Sequence, residues 1–166
     1  MRTAELLNAL LSRSVDFVLV GGMAVQLHGY MRFTYDIDLV LAMNNDNLSR
    51  FIEAAKELGL APVIPVPIDA LKDAGQIDRW HREKGMLAFA LREPGVAGSV
   101  IDVLVRPEIS YERLAADAVE GDLFGRKVKI ASIEHLLEMK RIANRPKDML
   151  DVAALEKIKR GEDPND

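Results

Sequence analysis

Two aspartates separated by one residue, Asp36 and Asp38, are the residues with the clearest chemical potential in this sequence. They open an apolar stretch that predicts a buried strand over residues 37–42, and residues i and i+2 of a strand project from the same face. Neighbouring carboxylates repel one another unless a cation lies between them, and Mg2+ prefers oxygen ligands. The pair therefore indicates a metal site, although a capping Asp followed by a solvent-facing Asp fits the same two residues.

A pair of glycines, Gly21 and Gly22, stands ahead of the two aspartates. It follows a short apolar run, residues 17–20, that predicts a strand, and it precedes residues 23–27, which predict a short helix. Glycine lets a ligand approach the backbone closely, and the amides at a helix start attract anions. The pair suits a phosphate site, but a turn that merely needs glycine geometry fits it as well.

A third acid, Asp102, interrupts the strongly apolar run of residues 100–105. An ionised Asp in such a strand is costly unless it is paired or bound to metal. If this strand lies beside the one that starts at Asp36, three carboxylates converge as two-metal phosphoryl transfer requires, and Asp102 can also accept the proton of the attacking hydroxyl. A salt bridge to a neighbouring Lys or Arg is the alternative for Asp102.

The elements that must position these residues alternate between helical and strand patterns along the chain. The patterns predict an α/β or α+β fold with a mixed sheet that contains at least one antiparallel pair. The other predicted helices cover residues 4–13, 45–58, 68–74, 76–82, 111–116, 132–143 and about 146–159, and the other strands cover 86–91 with 99–105 as a hairpin, and 126–131. Residues 161–166 are predicted to fray.

Composition excludes several classes of function. The 166 residues are 49% hydrophobic and 29% charged, with a net charge of −4 and no cysteine. Disulfides, thiolate metal sites and cysteine nucleophiles are therefore excluded. The apolar runs are too short for a membrane span and the start is not that of a signal peptide, so a soluble cytoplasmic protein is expected. Residues 122–160 carry 10 basic against six acidic side chains, which suits a phosphate-facing wall or a solvated helix face.

The ordered motifs resemble the nucleotidyltransferase superfamily of DNA polymerase beta, in particular the small group of AbiEii-type toxins. The similarity is carried by Gly21-Gly22-Met23-Ala24, His28-Gly29, Arg32, Thr34, Asp36-Ile37-Asp38-Leu39 and Asp102, and by a final Lys140, Arg145, Asp148 and Asp151. It spans residues 17–155, although most of 43–98 matches nothing. Many members carry Gly-Ser in the glycine motif, whereas the Gly-Gly of this chain leaves only backbone amides there.

The resemblance implies a minimal nucleotidyltransferase fold, with a twisted mixed sheet flanked by helices and two C-terminal helices. It implies a single domain over residues 1–160, with a catalytic core to about 131 and a helical part over about 132–160. The implied reaction moves a nucleoside monophosphate from an NTP such as ATP to a hydroxyl acceptor. Catalytic metal ligands for Mg2+ or Mn2+ would be Asp36, Asp38 and Asp102, and the nucleotide would be bound by Gly21, Gly22, Arg32, Thr34 and Lys140.

Other interpretations stay open on the sequence alone. The acceptor could be a protein side chain, a tRNA end or a small molecule, and the NTP and oligomeric state are not specified. The chain could be the toxin of a toxin–antitoxin pair with an antitoxin partner, a non-catalytic binding module, or a phosphohydrolase. Lys140 could be an exposed helix charge, His28 a helix cap or hydrogen-bonding residue, and Arg145 to Asp151 an ion-paired link between two helices.

Overall fold

A computed structural model of the chain describes residues 3–96 and 99–166. Ala97 and Gly98 of the expected hairpin loop, and Met1 and Arg2 ahead of the first predicted helix, lie outside the described residues. The elements in chain order are α1 (Thr3–Ser12), β1 (Phe17–Val20), α2 (Gly21–Leu27), β2 (Ile37–Leu41), α3 (Asn45–Glu57), β3 (Ala61–Pro62), a 3-10 helix (Ile68–Lys72), α4 (Ala74–Lys84), β4 (Ala88–Arg92), β5 (Ile101–Leu104), α5 (Tyr111–Asp117), β6 (Val119–Leu123), β7 (Arg126–Ile130), α6 (Ile133–Ala143) and α7 (Asp148–Lys159).

The chain forms two compact units, each built from separate stretches of sequence. Unit one consists of Met1–Phe17 and Tyr35–Pro107, and unit two of Val18–Thr34 and Glu108–Asp166. Both contain helices and strands, with parallel and antiparallel pairs, so the predicted mixed α/β class is confirmed. The prediction of a single domain over residues 1–160 stays a prediction.

The strands of unit one run in the order β3-β4-β5-β2. Strands β4 and β5 form the predicted antiparallel hairpin, and β5 pairs with β2 in parallel. The core is apolar, with Phe51 from α3, Phe89 from β4 and Leu39 from β2 fully buried. The polar side chain of Asn47 is also buried in this core, where it forms hydrogen bonds with the backbone of Asp16 and Ala42.

In unit two, β7 pairs with β1 in parallel and with β6 in antiparallel. Phe124 and Gly125 connect β6 to β7 with positive φ angles of 51° and 76°, which is the two-residue hairpin turn whose twist matches the strands. The two predicted C-terminal helices are present as α6 and α7. Ser132 accepts a hydrogen bond from His135 N and caps α6, as its position in the sequence predicts.

Three elements differ from the sequence prediction. The expected helix over 68–74 is a 3-10 helix that ends at Lys72, because Asp73 accepts a hydrogen bond from Gln76 N and so starts α4. The sequence pattern missed β3, which has two residues, and β6, whose acidic residues and central Gly121 disfavour a strand by propensity. Pairing with the alternating sequence of β7 makes β6 a strand nevertheless.

Candidate functional site

Strands β2 and β5 bring two of the predicted metal-binding carboxylates side by side in unit one. Asp38 is the register partner of Asp102 in this parallel pair. Register partners in neighbouring strands project from the same face, and the strands lie about 4.8 Å apart. Both side chains are half-buried, whereas the residues on either side of each are fully buried in the core: Ile37, Leu39, Ile101 and Val103. The apolar neighbours therefore fix the face on which the two carboxylates lie.

Asp36 lies immediately before β2 with an exposed side chain. Its Oδ1 accepts a hydrogen bond of 3.2 Å from the backbone N–H of Val100, which lies just ahead of β5. The backbone N–H of Ile37 donates in turn to the carbonyl of Val100, at 3.0 Å. Val100 is thus hydrogen-bonded to both Asp36 and Ile37, which holds the start of β2 against the residue that precedes β5.

The three carboxylates suit a hard divalent cation by donor type, since Mg2+ binds oxygen ligands and neutralises neighbouring acids. The register of Asp38 with Asp102 supports this fit. Within residues 3–96 and 99–166, no group of three or more His, Cys, Asp or Glu side chains is arranged as a metal-binding cluster. What the structure does show is that strand pairing aligns Asp38 with Asp102 and that a hydrogen bond from Val100 holds Asp36 close to β5.

The glycine pair forms the junction of β1 and α2 in unit two. Gly21 is the first residue of α2 and has a φ of 67°, a left-handed conformation that side chains rarely adopt. Val20 precedes it in extended conformation and supplies no side-chain cap to the helix. The sequence prediction of a strand, a glycine turn and a short helix is therefore confirmed, with α2 beginning two residues earlier than the apolar pattern suggests.

Gly22 lies against the guanidinium group of Arg32. A Cβ atom added at Gly22 would lie 3.1 Å from Cζ of Arg32 and 3.2 and 3.3 Å from its two terminal nitrogens. Such separations are shorter than ordinary van der Waals contact, so a side chain at this position would displace the guanidinium. The second glycine thus allows the close approach of the guanidinium, which would have to move by a few tenths of an ångström to accommodate a Cβ atom.

Arg32 belongs to a chain of alternating charges within unit two. Its Nη1 forms an ion pair with Asp151, whose carboxylate also accepts from Lys140 Nζ at 2.8 Å. Lys140 Nζ lies 3.5 Å from Asp148, and Asp148 accepts from Arg145 Nε at 2.8 Å. We call these five residues the charge network. Three cations alternate with two carboxylates, so the charge network carries a formal charge of +1.

The middle of the charge network is buried. Asp148 and Asp151 are 2% and 3% exposed, and Lys140 is 8% exposed. Burial alone would raise the pKa of Asp148, but the hydrogen bond from Arg145 and the charges of Lys140 and Arg145 together hold that pKa below its ordinary value. A buried carboxylate is therefore kept ionised by its two cationic neighbours.

The structure decides between the open interpretations of several residues. Lys140 is not an exposed helix charge, because it is buried between two carboxylates. The predicted ion pairing between Arg145 and Asp148 is confirmed, at i and i+3. His28 ends α2 and donates from Nε2 to the carbonyl of Ala131 at 2.8 Å, which confirms a hydrogen-bonding role.

Thr34 is half-buried in the irregular segment between α2 and β2.

The sequence patterns did not reveal Asn165, whose side chain contacts the segment between α2 and β2. A lone Asn near the C-terminal end carries no periodic or motif signal. The patterns also did not reveal that Asp151 joins Arg32 to Lys140. The spacing of Asp148 and Asp151, three residues apart on one helix, is the signal that could have indicated a shared partner.

Comparison with solved structures shows the class of fold to which this arrangement belongs. The chain superposes on ANT(2")-Ia in complex with adenylyl-2"-tobramycin with a TM-score of 0.60 and 16% identity, over 94% of this chain and 86% of the other. It superposes on the lincomycin-bound lincosamide antibiotic adenylyltransferase LnuA with a TM-score of 0.59 and 17% identity, over 95% and 98%. An antigenic nucleotidyltransferase-like protein from Paracoccidioides brasiliensis gives 0.56 and 20%, over 94% and 75%. The fold is that of the nucleotidyltransferases, as the resemblance implied.

The sequence model described as "Nucleotidyl transferase AbiEii toxin, Type IV TA system" matches residues 5–166. This chain therefore belongs to the AbiEii nucleotidyltransferase family, and the predicted family and enzyme class are confirmed. No curated protein matches the chain significantly in sequence. None of the described helices combines the length and the apolar character needed to cross a bilayer.

Proposed function

We propose that this protein transfers a nucleoside monophosphate from an NTP to a hydroxyl group, with Asp36, Asp38 and Asp102 as the catalytic carboxylates. The observation that carries the proposal is the register of Asp38 with Asp102 on β2 and β5, with Asp36 tied to Val100 beside them. Membership of the nucleotidyltransferase family supports this choice over phosphate hydrolysis. The resident cation would be Mg2+ or Mn2+.

The bonding changes define what the residues must do. The acceptor oxygen attacks the α-phosphorus of the NTP, a new O–P bond forms, and the bond to the β-phosphate bridging oxygen breaks to release pyrophosphate. Asp102 accepts the proton of the acceptor hydroxyl. Asp36 and Asp38, with Asp102, would hold the divalent cation, which when bound offsets the developing phosphate charge.

The triphosphate would be bound by residues of unit two. Gly21 and Gly22 offer backbone without a side chain in the way, and the guanidinium of Arg32 lies against Gly22. Arg32 and Lys140 are two of the three cations of the charge network, whose net charge of +1 suits an anionic ligand. We assign Thr34 to the same site as a hydroxyl that binds a phosphate oxygen.

We propose ATP as the first nucleotide to test, because adenylyl transfer is named for two of the similar structures. The acceptor is a protein side chain, an RNA end such as that of tRNA, or a small molecule such as those bound in those structures. The family description supports a role as the toxin of a toxin–antitoxin pair, with an antitoxin protein as partner. We place this role in the cytoplasm. The alternative is a binding module of the same fold that does not catalyse transfer.

Calorimetry with purified protein, Mg2+ and each of the four NTPs tests nucleotide binding. We expect binding of at least one NTP, and we expect Arg32→Ala to weaken it about tenfold, because a charge-assisted hydrogen bond to phosphate is lost. Arg82→Ala is the matched control, since Arg82 is an exposed arginine of α4 in unit one. Binding of no NTP would contradict the proposed function.

Labelling tests transfer itself. An α-phosphate-labelled NTP with Mg2+ should label protein, RNA or added tobramycin or lincomycin, and Asp38→Asn should reduce this labelling at least 100-fold. Asp69→Asn is the matched control, because it removes an exposed carboxylate that pairs with Lys56 in the same unit. Equal labelling by Asp38→Asn would overturn the assignment, and NTP binding without labelling of any acceptor class would favour the binding module.

A further inference from the structure

The irregular segment that leads to Arg32 is held by a side chain from the far end of unit two. Asn165 Oδ1 accepts a hydrogen bond from Met31 N at 2.7 Å, and Asn165 Nδ2 donates to the carbonyl of Gly29 at 3.1 Å. A carboxamide that bonds one backbone donor and one backbone acceptor in this way fixes both position and orientation. Residues 29–31 are thus fastened at two points by one exposed side chain.

The tail that carries Asn165, which the sequence predicts to fray, makes hydrogen bonds of its own in the structure. Residues 161–166 belong to no helix or strand, yet Asn165 N donates to Asp163 Oδ1 at 2.9 Å. Lys157 Nζ, on α7, donates to the backbone carbonyl of Asp166 at 2.7 Å. The contact from Asn165 to residues 29–31 therefore links that segment to the helix that also carries Asp151.

Packing does little to hold the segment that Asn165 contacts. Met31 and Phe33 are 80% and 75% exposed. Residues 30–36 belong to no helix or strand, so no strand ladder or helix fixes the backbone there. A stretch with little burial and solvent-exposed hydrogen bonds opens at a low free-energy cost. The Asn165 contact is therefore expected to contribute to the order of residues 29–31.

Arg32 comes directly after Met31, and its guanidinium group is held by contacts of its own. Its guanidinium pairs with Asp151 through Nη1 and lies against Gly22, and the side chain keeps 30% of its surface accessible. Asn165 thus orients the backbone just before Arg32, while Asp151 orients the guanidinium of Arg32. A long flexible side chain loses considerable rotamer freedom when it is held, so preorganisation favours ligand binding.

We infer that Asn165 is a positioning residue for the nucleotide, which acts through Arg32 by holding residues 29–31. The inference rests on the proposed function, because it assigns Arg32 to the triphosphate. It adds the C-terminal tail to the nucleotide site, a segment that none of the sequence motifs includes.

The test is a double-mutant cycle on NTP binding, measured by calorimetry with Mg2+ and the NTP that the wild-type protein prefers. We expect Asn165→Ala to weaken binding about fivefold, the factor that roughly one net hydrogen bond represents. In an Arg32→Ala background, Asn165→Ala should cause no further loss, because its effect passes through Arg32. Arg32→Lys serves as a second background in case the alanine variant folds poorly.

Two further variants separate positioning from general stability. Asn165→Asp keeps the acceptor for Met31 N but places a carboxylate oxygen against the Gly29 carbonyl, so it should bind NTP no better than Asn165→Ala. Glu162→Ala, in the same tail, removes an exposed ion pair with Arg160 and should leave binding unchanged. Amide exchange at Met31 should be faster in Asn165→Ala and unchanged in Glu162→Ala.

The outcomes distinguish this inference from the proposed function. If the wild-type protein binds no NTP, the proposed function fails and the role of Asn165 fails with it. If the wild-type protein binds but Asn165→Ala binds equally well, or if the losses from Asn165→Ala and Arg32→Ala add, only the positioning role is overturned. Unchanged exchange at Met31 in Asn165→Ala would also overturn it.

Discussion

At the scale of single residues, the two glycines of the β1–α2 junction do different work. Gly21 has a positive φ, so its role is conformational. Gly22 does not have a positive φ, and its lack of a side chain leaves room for the Arg32 guanidinium. A sequence shows only that both are glycine, and their roles separate only when neighbouring atoms are in place.

Gly22→Ala is therefore predicted to impair nucleotide binding without unfolding the protein. The new Cβ would displace the guanidinium of Arg32, and we expect NTP affinity to fall about fivefold, as for loss of one oriented hydrogen bond. Alanine is the better helix former, so the melting temperature should not fall. Calorimetry and thermal unfolding measure the two quantities.

Gly75→Ala is the matched control for that substitution. Gly75 also lies near the start of a helix, α4, but an added Cβ would meet its nearest atom at an ordinary 3.6 Å. It should bind NTP like the wild-type protein and be equally or slightly more stable. A Gly22→Ala variant with unchanged affinity would contradict the placement of Arg32 at the phosphate site.

At the scale of elements, buried polar side chains tie strands and helices to one another. Asn47, near the start of α3, accepts from Asp16 N at 2.7 Å and donates to the carbonyls of Asp16 and Ala42 at 2.9 and 2.8 Å. It thus joins α3 to the segment before β1 and to the residue after β2. In this way α3 supports the strand that carries Asp38 by more than apolar contact.

Asn47→Ala is predicted to destabilise the protein by about 3 kcal/mol, since it leaves buried backbone groups without partners. Urea unfolding followed by far-UV circular dichroism and by the fluorescence of Trp80 in unit one measures the change. Asn45→Ala, at the exposed first position of α3, should change the free energy of unfolding by less than about 0.5 kcal/mol. Similar losses in both variants would show that burial of Asn47 is not the cause.

At the scale of the whole molecule, acidic and basic side chains are unevenly distributed along the chain, and many of them form ion pairs. The net charge of −4 includes an acidic stretch over residues 1–121 and a basic stretch over 122–160. Much of the basic stretch is committed to ion pairs, and the charge network buries two carboxylates between cations. Charge summed along a sequence overstates what a ligand encounters, because internal pairing neutralises part of it.

The buried carboxylate Asp148 makes stability sensitive to acid. Its pKa is lower in the folded protein than the ordinary 3.8, so its stabilising effect is complete above that value and is lost as pH falls below it. Asp148→Asn should cost about 3 kcal/mol at pH 7, since it leaves Lys140 and Arg145 without this carboxylate. The gap between variant and wild type should narrow towards pH 3, in urea unfolding at each pH.

Glu162→Gln is the control for acid sensitivity. The hydrogen bond from Arg160 also lowers the pKa of Glu162, but this side chain is exposed and the pair is screened by solvent. Its effect at pH 7 should be close to zero. A gap between Asp148→Asn and the wild type that does not change with pH would contradict an ionised Asp148 as the source of the stability.

The amino-acid sequence alone was enough to predict the ordered motifs, the helices and strands that flank them, and the family. These features depend on local periodicity, glycine positions and residue spacing, which are present in the chain before it folds. Three contacts emerge only from the packing of the folded chain. They are the alignment of Asp38 with Asp102, the contact of Gly22 with Arg32, and the burial of Lys140 between Asp148 and Asp151. Strand register and long-range side-chain contacts join residues that are far apart in sequence, up to 136 positions for Asn165 and Gly29. Such contacts leave no periodic trace, because they depend on how the elements pack rather than on the preference of any one segment.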